Sequence, residues 1–247
     1  MKRFSAVLSL VLVASMLMAA CTVPGPKKVR VVTDANWPPF EFLDEKTKEI
    51  QGLDIDIMKA IAADQGLEIE FVNVPFDSAL AGLAQCQYDA GISSITITGE
   101  RKKTMAFSDS YFVAGQIVIV NAANTAINSV DDLKGKKVGA QIGTSGAVES
   151  TKIQGAQFIA YDSLDPAIQA VMTNQIDAVI ADNPLALGYV AKNPARLKTA
   201  GKVFTDENDG IAVCPRNTDL LAKINKGLAD IKADGKMDAI TQTWMGK

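Results

Sequence analysis

The chain has 247 residues, of which 48% are hydrophobic and 21% charged, and its formal net charge is −3. That balance is ordinary for a globular protein with room for one large domain or two modest lobes, and no basic patch with interleaved aromatics marks a nucleic-acid partner. Histidine is absent, which excludes Ser-His-Asp and Cys-His nucleophile pairs and every histidine-based metal site.

The chain opens with Lys2 and Arg3, an uncharged apolar run from Phe4 to Met18, then Ala19, Ala20 and Cys21. Residues 1–20 read as a secretory signal. The ending LMAAC resembles a bacterial lipobox, whose Cys becomes the lipid-modified first residue, although Met18 stands where Leu is usual. An uncleaved membrane anchor and secretion with Cys21 unmodified are the rival readings. Residues 21–28, with Pro24, Gly25 and Pro26, read as a tether. The expected location is therefore outside the cytoplasm, lipid-anchored or periplasmic. Cys86 and Cys214 remain, either as a disulfide or as two reduced, half-buried thiols. No metal is expected, because two spare cysteines cannot make a four-thiolate zinc site, and no cofactor motif stands out.

Strand and helix signals then alternate, which predicts an α/β fold. A strand over 29–33 breaks at Trp37-Pro38-Pro39-Phe40, a rigid turn. Helical spacing covers 53–63, with Gly66 as a stop. A strand follows over 68–74, a helix over 76–84 and a strand over 89–95. The apolar run 111–120 reads as one crossing out of the first lobe. The second lobe has strands over 136–141, 157–160 and 177–181 and helices over 145–153, 166–174 and 184–191. Residues 203–204 and 211–213 read as the return crossing. Leu220, Leu221, Ile224, Leu228 and Ile231 mark a terminal helix ending at Gly235, and a last short helix carries Ile240 and Trp244. Two crossings predict a cleft between lobe 1, residues 29–115 plus 210–247, and lobe 2, residues 116–209.

In open α/β sheets, ligands gather at the carboxyl ends of strands. Those ends carry Asp34 and Trp37, then Ser93, Ser94 and Thr96 with Arg101 beyond, then the turn at Thr144 and Ser145, then Asp182. The planar fork of arginine matches a carboxylate through two parallel hydrogen bonds, and small hydroxyls leave room for a ligand. A surface cation beside a polar turn is the plain alternative. The glycine-broken turn GAQIGTSGA presents free N–H groups and a helix dipole to an anion. It matches neither nucleotide fingerprint, and Thr144 or Ser145 as a simple N-cap is the rival. Asp182 either caps the next helix or meets a ligand ammonium. Trp37 and Phe76 either wall an apolar stem or pack in the core. Asp34 either meets a polar or cationic ligand end or satisfies its own turn. If the strand ending at Cys214 runs antiparallel beside the strand after Cys86, the two thiols meet at the lobe's edge.

Over residues 28–247 the chain resembles bacterial extracellular solute-binding proteins of family 3, the polar amino-acid receptors of ABC importers. The carriers are DANWPPFEF, GLDIDI, FDSAL, DAGISSITITGERKKTMAFSDSYF, GAQIGTSG, DAVIAD and LADIKADGKMDAITQTWMG, in family order. The resemblance implies a two-lobed, type II periplasmic-binding-protein-like fold, each lobe a mostly parallel sheet flanked by helices. It implies that Arg101 clamps a ligand α-carboxylate, helped by N–H groups at Thr96 and Ser145. Asp182 then meets the α-ammonium with the Thr96 hydroxyl and the Ser94 carbonyl. Trp37 and Phe76 flank the side chain, and Asp34 meets its distal end. Trp37 is larger than the Tyr or Phe common at its position.

The expected function is capture of a polar L-amino acid, arginine or another basic one ahead of glutamine, by lobe closure, and delivery to a permease. The expected protein is a monomer, held at the membrane through lipid on Cys21. A cyclohexadienyl dehydratase-like enzyme and an amino-acid-sensing receptor module are the alternatives; the first would need a catalytic acid from Asp34, Glu41 or Asp182.

Overall fold

Val29–Thr33 is an inner strand of a five-stranded sheet in the computed structural model, which describes residues 28 to 246. The readings of a signal segment, a lipidated Cys21 and most of the tether lie outside the described residues. Val31 and Val32 are both fully buried, as expected for a strand covered on two faces. Ile69–Asn73 and Ala90–Gly91 pair with it in parallel. Ala212–Val213 returns antiparallel between Ala90–Gly91 and Ala106–Phe107. The second sheet repeats this plan. Gln157–Tyr161, Lys137–Gln141 and Ala178–Asp182 are parallel, and Gln116–Asn121 runs antiparallel between Ala178–Asp182 and Leu197–Ala200. The chain thus adopts the two-lobed α/β architecture expected from its sequence.

The helix Leu53–Gln65 shows how the first lobe is sealed. Leu53, Ile57 and Ile61 are buried against Ile224, Leu228 and Ile231 of the long helix Thr218–Ala233. Each such side chain contributes about 1.5–3 kcal/mol when removed from water. Gly66 ends the helix in the left-handed conformation. Gly52 starts it at φ 137°, where any Cβ would lie 2.1 Å from the Phe40 carbonyl oxygen, so only glycine fits. That close approach anchors the helix N-terminus to the segment carrying Trp37 and Glu41.

Several boundaries differ from the sequence reading. The expected strand over 89–95 pairs only at Ala90–Gly91, because Ser94 turns left-handed and its N–H leaves the ladder for the Asp54 carboxylate. The single crossing over 111–120 is two strands, Phe112–Ala114 and Gln116–Asn121, broken at Gly115. A Cβ there would meet the Thr205 carbonyl oxygen at 2.4 Å, so glycine lets the two crossings touch. The return crossing is Glu207–Asp209, paired antiparallel with Phe112–Ala114, not residues 203–204. The Trp37–Phe40 turn belongs to a small three-stranded sheet, Asn36–Trp37, Glu41–Leu43 and Ile50–Gln51, with a cis peptide bond between Pro38 and Pro39. Leu197–Ala200 and Ala106–Phe107 had no expected counterpart.

Cys86 and Cys214 form a disulfide with Cα atoms 5.0 Å apart. The antiparallel pairing of Ala212–Val213 with Ala90–Gly91 brings them together, the arrangement on which the disulfide reading depended. The bridge closes 128 residues of chain, including the entire second sheet. Replacing both cysteines with alanine is expected to lower unfolding stability by about 2–5 kcal/mol, measured by denaturant titration. No loss would mean that the unfolded chain gains little freedom when the bridge is absent.

Candidate functional site between the lobes

All four strand ends singled out in the sequence converge where the two sheets face each other. Asp34 leaves the first strand with its carboxylate buried. Its Oδ1 accepts from Asn36 Nδ2 (2.7 Å), and its Oδ2 accepts from the Phe76 N–H (3.2 Å) and from Gln141 Nε2 (2.9 Å) across the cleft. Burial raises its pKa, while these neutral donors oppose the rise. Trp37 and Phe76 stack with centroids 6.1 Å apart and planes inclined by 16°. Trp37 packs among Leu164, Ala181 and Leu185 of the second lobe, and its indole N–H donates to Gln141 Oε1. One glutamine therefore ties two first-lobe residues to the second lobe.

Arg101 bridges the lobes at the other end. Its Nη1 donates to the Thr96 carbonyl (2.7 Å) and its Nη2 to the Gly143 carbonyl (2.9 Å), with the guanidinium 5.5 Å from the Phe76 ring centroid. Burial pulls its pKa down, and the charges of Asp182, Asp209 and Glu207 push it back up. The Thr96 hydroxyl lies 3.2 Å from Ser145 Oγ and donates to Glu207 Oε2 (3.2 Å). Ser145 Oγ donates to the same Glu207 oxygen (2.7 Å) and accepts from Gln116 Nε2 (3.0 Å), which also donates to Asp182 Oδ1. Arg101 and Asp182 thus meet through one hydrogen-bonded cluster. Asp182 begins the helix Asn183–Lys192 without capping it, so the structural alternative for its side chain does not hold. Burial pushes its pKa up to about 7, with Glu207 adding to the rise and Gln116 and Arg101 opposing it.

The remaining hydroxyls divide. Thr144 caps the helix Ser145–Lys152, accepting from the Ala147 N–H (3.1 Å) and donating to the Gln141 carbonyl (2.7 Å), so its side chain is spent on local structure. Ser93 Oγ points behind the cleft, donating to Glu41 Oε1 (2.8 Å) and accepting from the Asp34 N–H (3.1 Å). Ser94 Oγ is buried with no partner among the described residues. A cavity of about 770 Å³ opens beside Thr96, Arg101, Gly143, Ser145 and Glu207. A larger groove of about 1220 Å³, bordered by Pro38, Pro39, Leu187 and Trp244, holds none of the ten residues singled out for ligand binding. The smaller one is lined by three of the ten, Thr96, Arg101 and Ser145.

Sequence reading missed Gln116, Gln141, Glu207 and Asp209. The available signal was a polar residue interrupting or ending an apolar strand, which Gln116 and Gln141 both provide. Glu207 and Asp209 share one face of the return strand, and both oxygens of Asp209 are buried without a donor. Burial, then the charges of Asp182, Asp54 and Glu207, holds the Asp209 pKa well above the ordinary range.

The model of the bacterial extracellular solute-binding proteins, family 3, matches residues 29–247. The chain belongs to that family. It is 34% identical over 244 residues to the ABC transporter arginine-binding protein 1 of Escherichia coli (strain K12), covering 94% of this chain and 98% of that protein. It is 32% identical over 215 residues to the L-cystine-binding protein TcyJ of the same strain, covering 86% of this chain and 80% of that one. Among solved structures, an ancestral arginine-binding protein bound to arginine superposes with a TM-score of 0.85 at 42% identity, covering 89% of this chain and 99% of that one. An ancestral arginine-binding protein bound to glutamine gives 0.85 at 42% over 90% and 99%. The arginine-, lysine-, histidine-binding protein ArtJ of Geobacillus stearothermophilus gives 0.84 at 36% over 90% and 96%.

The raised Asp182 pKa has a stability consequence. The folded binding protein holds this proton more tightly than the unfolded chain does. Its contribution is therefore most favourable in acid and is lost as pH rises through about 7. Asp182→Asn is expected to melt above the native protein at pH 8, with the gap narrowing towards pH 5. An equal or lower melting point at pH 8 would mean that the buried carboxylate is charged at no cost.

Proposed function

We propose that the protein captures a cationic L-amino acid, arginine first, between its lobes and delivers it to the permease of an ABC importer. The observation that carries this reading is the charge layout of the cleft. Arg101 on the first lobe and Asp182 on the second belong to one buried cluster, while Asp34 lies apart, held by the neutral donors Gln141, Asn36 and the Phe76 N–H. The other charge acting on Asp34 is a second carboxylate, Asp77. A guanidinium satisfies that end, and the distal carboxylate of a glutamate does not. Glutamine remains the second choice, since a carboxylate also accepts from an amide. The arginine-binding relatives support the same order.

In this reading Arg101 receives the α-carboxylate with the N–H groups of Thr96 and Ser145, the latter at a helix start where the dipole favours an anion. Asp182 takes the α-ammonium with the Thr96 hydroxyl and the Ser94 carbonyl. Trp37 and Phe76 flank the side chain, and Ser93 and Thr144 support these groups from behind. Only the closed arrangement completes both ion pairs, so a zwitterion shifts the lobes towards closure. The lobes divide at residues 29–115 plus 210–247 and 116–209, with the hinge at the paired crossings. We read the chain as a monomeric binding protein and not as an enzyme, held outside the cytoplasm through lipid on Cys21. Among the described residues, no helix is long and apolar enough to cross a membrane.

Calorimetry with arginine, lysine, glutamine, glutamate and cystine is expected to rank arginine first. Arg101→Ala should weaken arginine binding by about 100-fold or more, because a buried carboxylate loses its partner. Intact affinity in that variant would remove the clamp assignment. Arginine affinity should rise from pH 5.5 to pH 7.5 as Asp182 ionises, by no more than about tenfold per pH unit, with proton release at pH 6. A flat profile would mean that Asp182 does not meet the ammonium.

A further inference from the structure

Behind the cleft lies a second carboxyl group that the proposed binding steps do not use. Glu41, on the strand Glu41–Leu43, and Asp54, in the first turn of the helix Leu53–Gln65, are both fully buried and in side-chain hydrogen-bonding contact. Each has one oxygen with conventional donors. Glu41 Oε1 accepts from Ser93 Oγ (2.8 Å), and Asp54 Oδ2 accepts from the Ser94 N–H (2.8 Å) and the Tyr111 hydroxyl (2.8 Å). The other oxygen of each, Glu41 Oε2 and Asp54 Oδ1, has no donor among the described residues. Two such acceptors, on neighbouring buried carboxyls that hold the adjacent residues Ser93 and Ser94, are satisfied together if one carboxyl keeps its proton and donates it to the other.

We propose that Glu41 and Asp54 share one buried proton, carried by Glu41 as a neutral acid. This pair is a positioning element that holds the Ser93–Ser94 turn and, through Ser93, the Asp34 backbone in place for the ligand. The proton stays on Glu41 for a physical reason. Asp54 is the better-stabilised anion, with a backbone N–H, a phenol and the positive end of a helix around it, whereas Glu41 has one hydroxyl. Burial and the neighbouring Asp54 charge hold Glu41 well above the carboxylate range, while Asp54 is raised only to about 6. The charges bearing on the pair are acidic: Asp34 acts on Glu41, and Asp209 lies near both Asp54 and Tyr111. A second buried negative charge would therefore find no cation. Ser94, at φ 44°, keeps a conformation that costs energy for a residue with a Cβ, and the Asp54 carboxylate fixes it.

Only the functional consequence of this inference rests on the ligand reading above, so the test has arms independent of any ligand. Infrared difference spectra of native protein minus Glu41→Gln at pH 7.5 should show a protonated-carboxyl C=O band that belongs to the native protein. Hydrogen exchange over residues 92–96 should be unchanged in Glu41→Gln, whose amide reproduces the donor, and at least tenfold faster in Glu41→Ala. Arginine affinity should follow the same split, within about threefold of native for Gln and weaker by tenfold or more for Ala. Absence of the band, or Glu41→Gln as disruptive as Glu41→Ala in exchange, overturns the proposal. If native protein binds no arginine, the ligand reading fails alone, and the spectra and exchange still decide the proton pair.

Discussion

The structure depends on how one guanidinium is matched against an excess of buried carboxylate. Arg101 faces Asp182, Glu207 and Asp209, and the three carboxyls are buried beside a half-buried guanidinium where the lobes meet. A buried charge is tolerated only when it is paired and hydrogen-bonded. The protein meets that condition incompletely. Glu207 has donors from Thr96, Ser145 and Thr205, whereas Asp209 has none. Such a cluster is a poor way to build stability and a good way to favour a ligand that brings positive charge. Protonation relieves the buried charge of Asp182 and Asp209, and in the proposed arrangement a ligand ammonium would do so too, linking capture to charge.

The same residues would register closure at the crossings, where we propose the hinge. Gln116 and Glu207 sit on the two crossings, beside the paired strands Phe112–Ala114 and Glu207–Asp209. Glu207 accepts from Thr96 in the first lobe and from Ser145 in the second, so one carboxylate on the hinge registers both halves. Gln141 does the same at the far end through Trp37 and Asp34. Motion about the crossings must break both sets at once. The cleft is therefore expected to switch between two arrangements and not to deform gradually, as interdigitated interfaces do.

Function also reaches behind the cleft wall. The Gly52 approach to Phe40 joins the helix carrying Asp54 to the strand carrying Glu41, which is what places two carboxyls in contact. Their partners are the backbone and hydroxyls of the ligand-facing turn. The GLDIDI segment thus shapes the site although none of its side chains faces the ligand in the proposed arrangement.

Local chemistry in the chain was enough to determine the alternation of strands and helices, the stop at Gly66, the helix over 76–84 and the strand-end positions of Asp34 and Asp182. Those features follow from spacing, glycine conformation and side-chain type, all of which act within a few residues. Tertiary structure alone decided that the 89–95 strand ends early, since the Asp54 carboxylate that captures the Ser94 N–H lies 40 residues away. It decided that Ser93 points behind the cleft, because a hydroxyl serves whichever partner the fold brings to it. It also decided the roles of Gln116, Gln141, Glu207 and Asp209, polar residues whose neighbours are named by topology. Pattern reveals which groups a chain carries, but whether a buried charge is paired depends on segments far apart in sequence meeting in space.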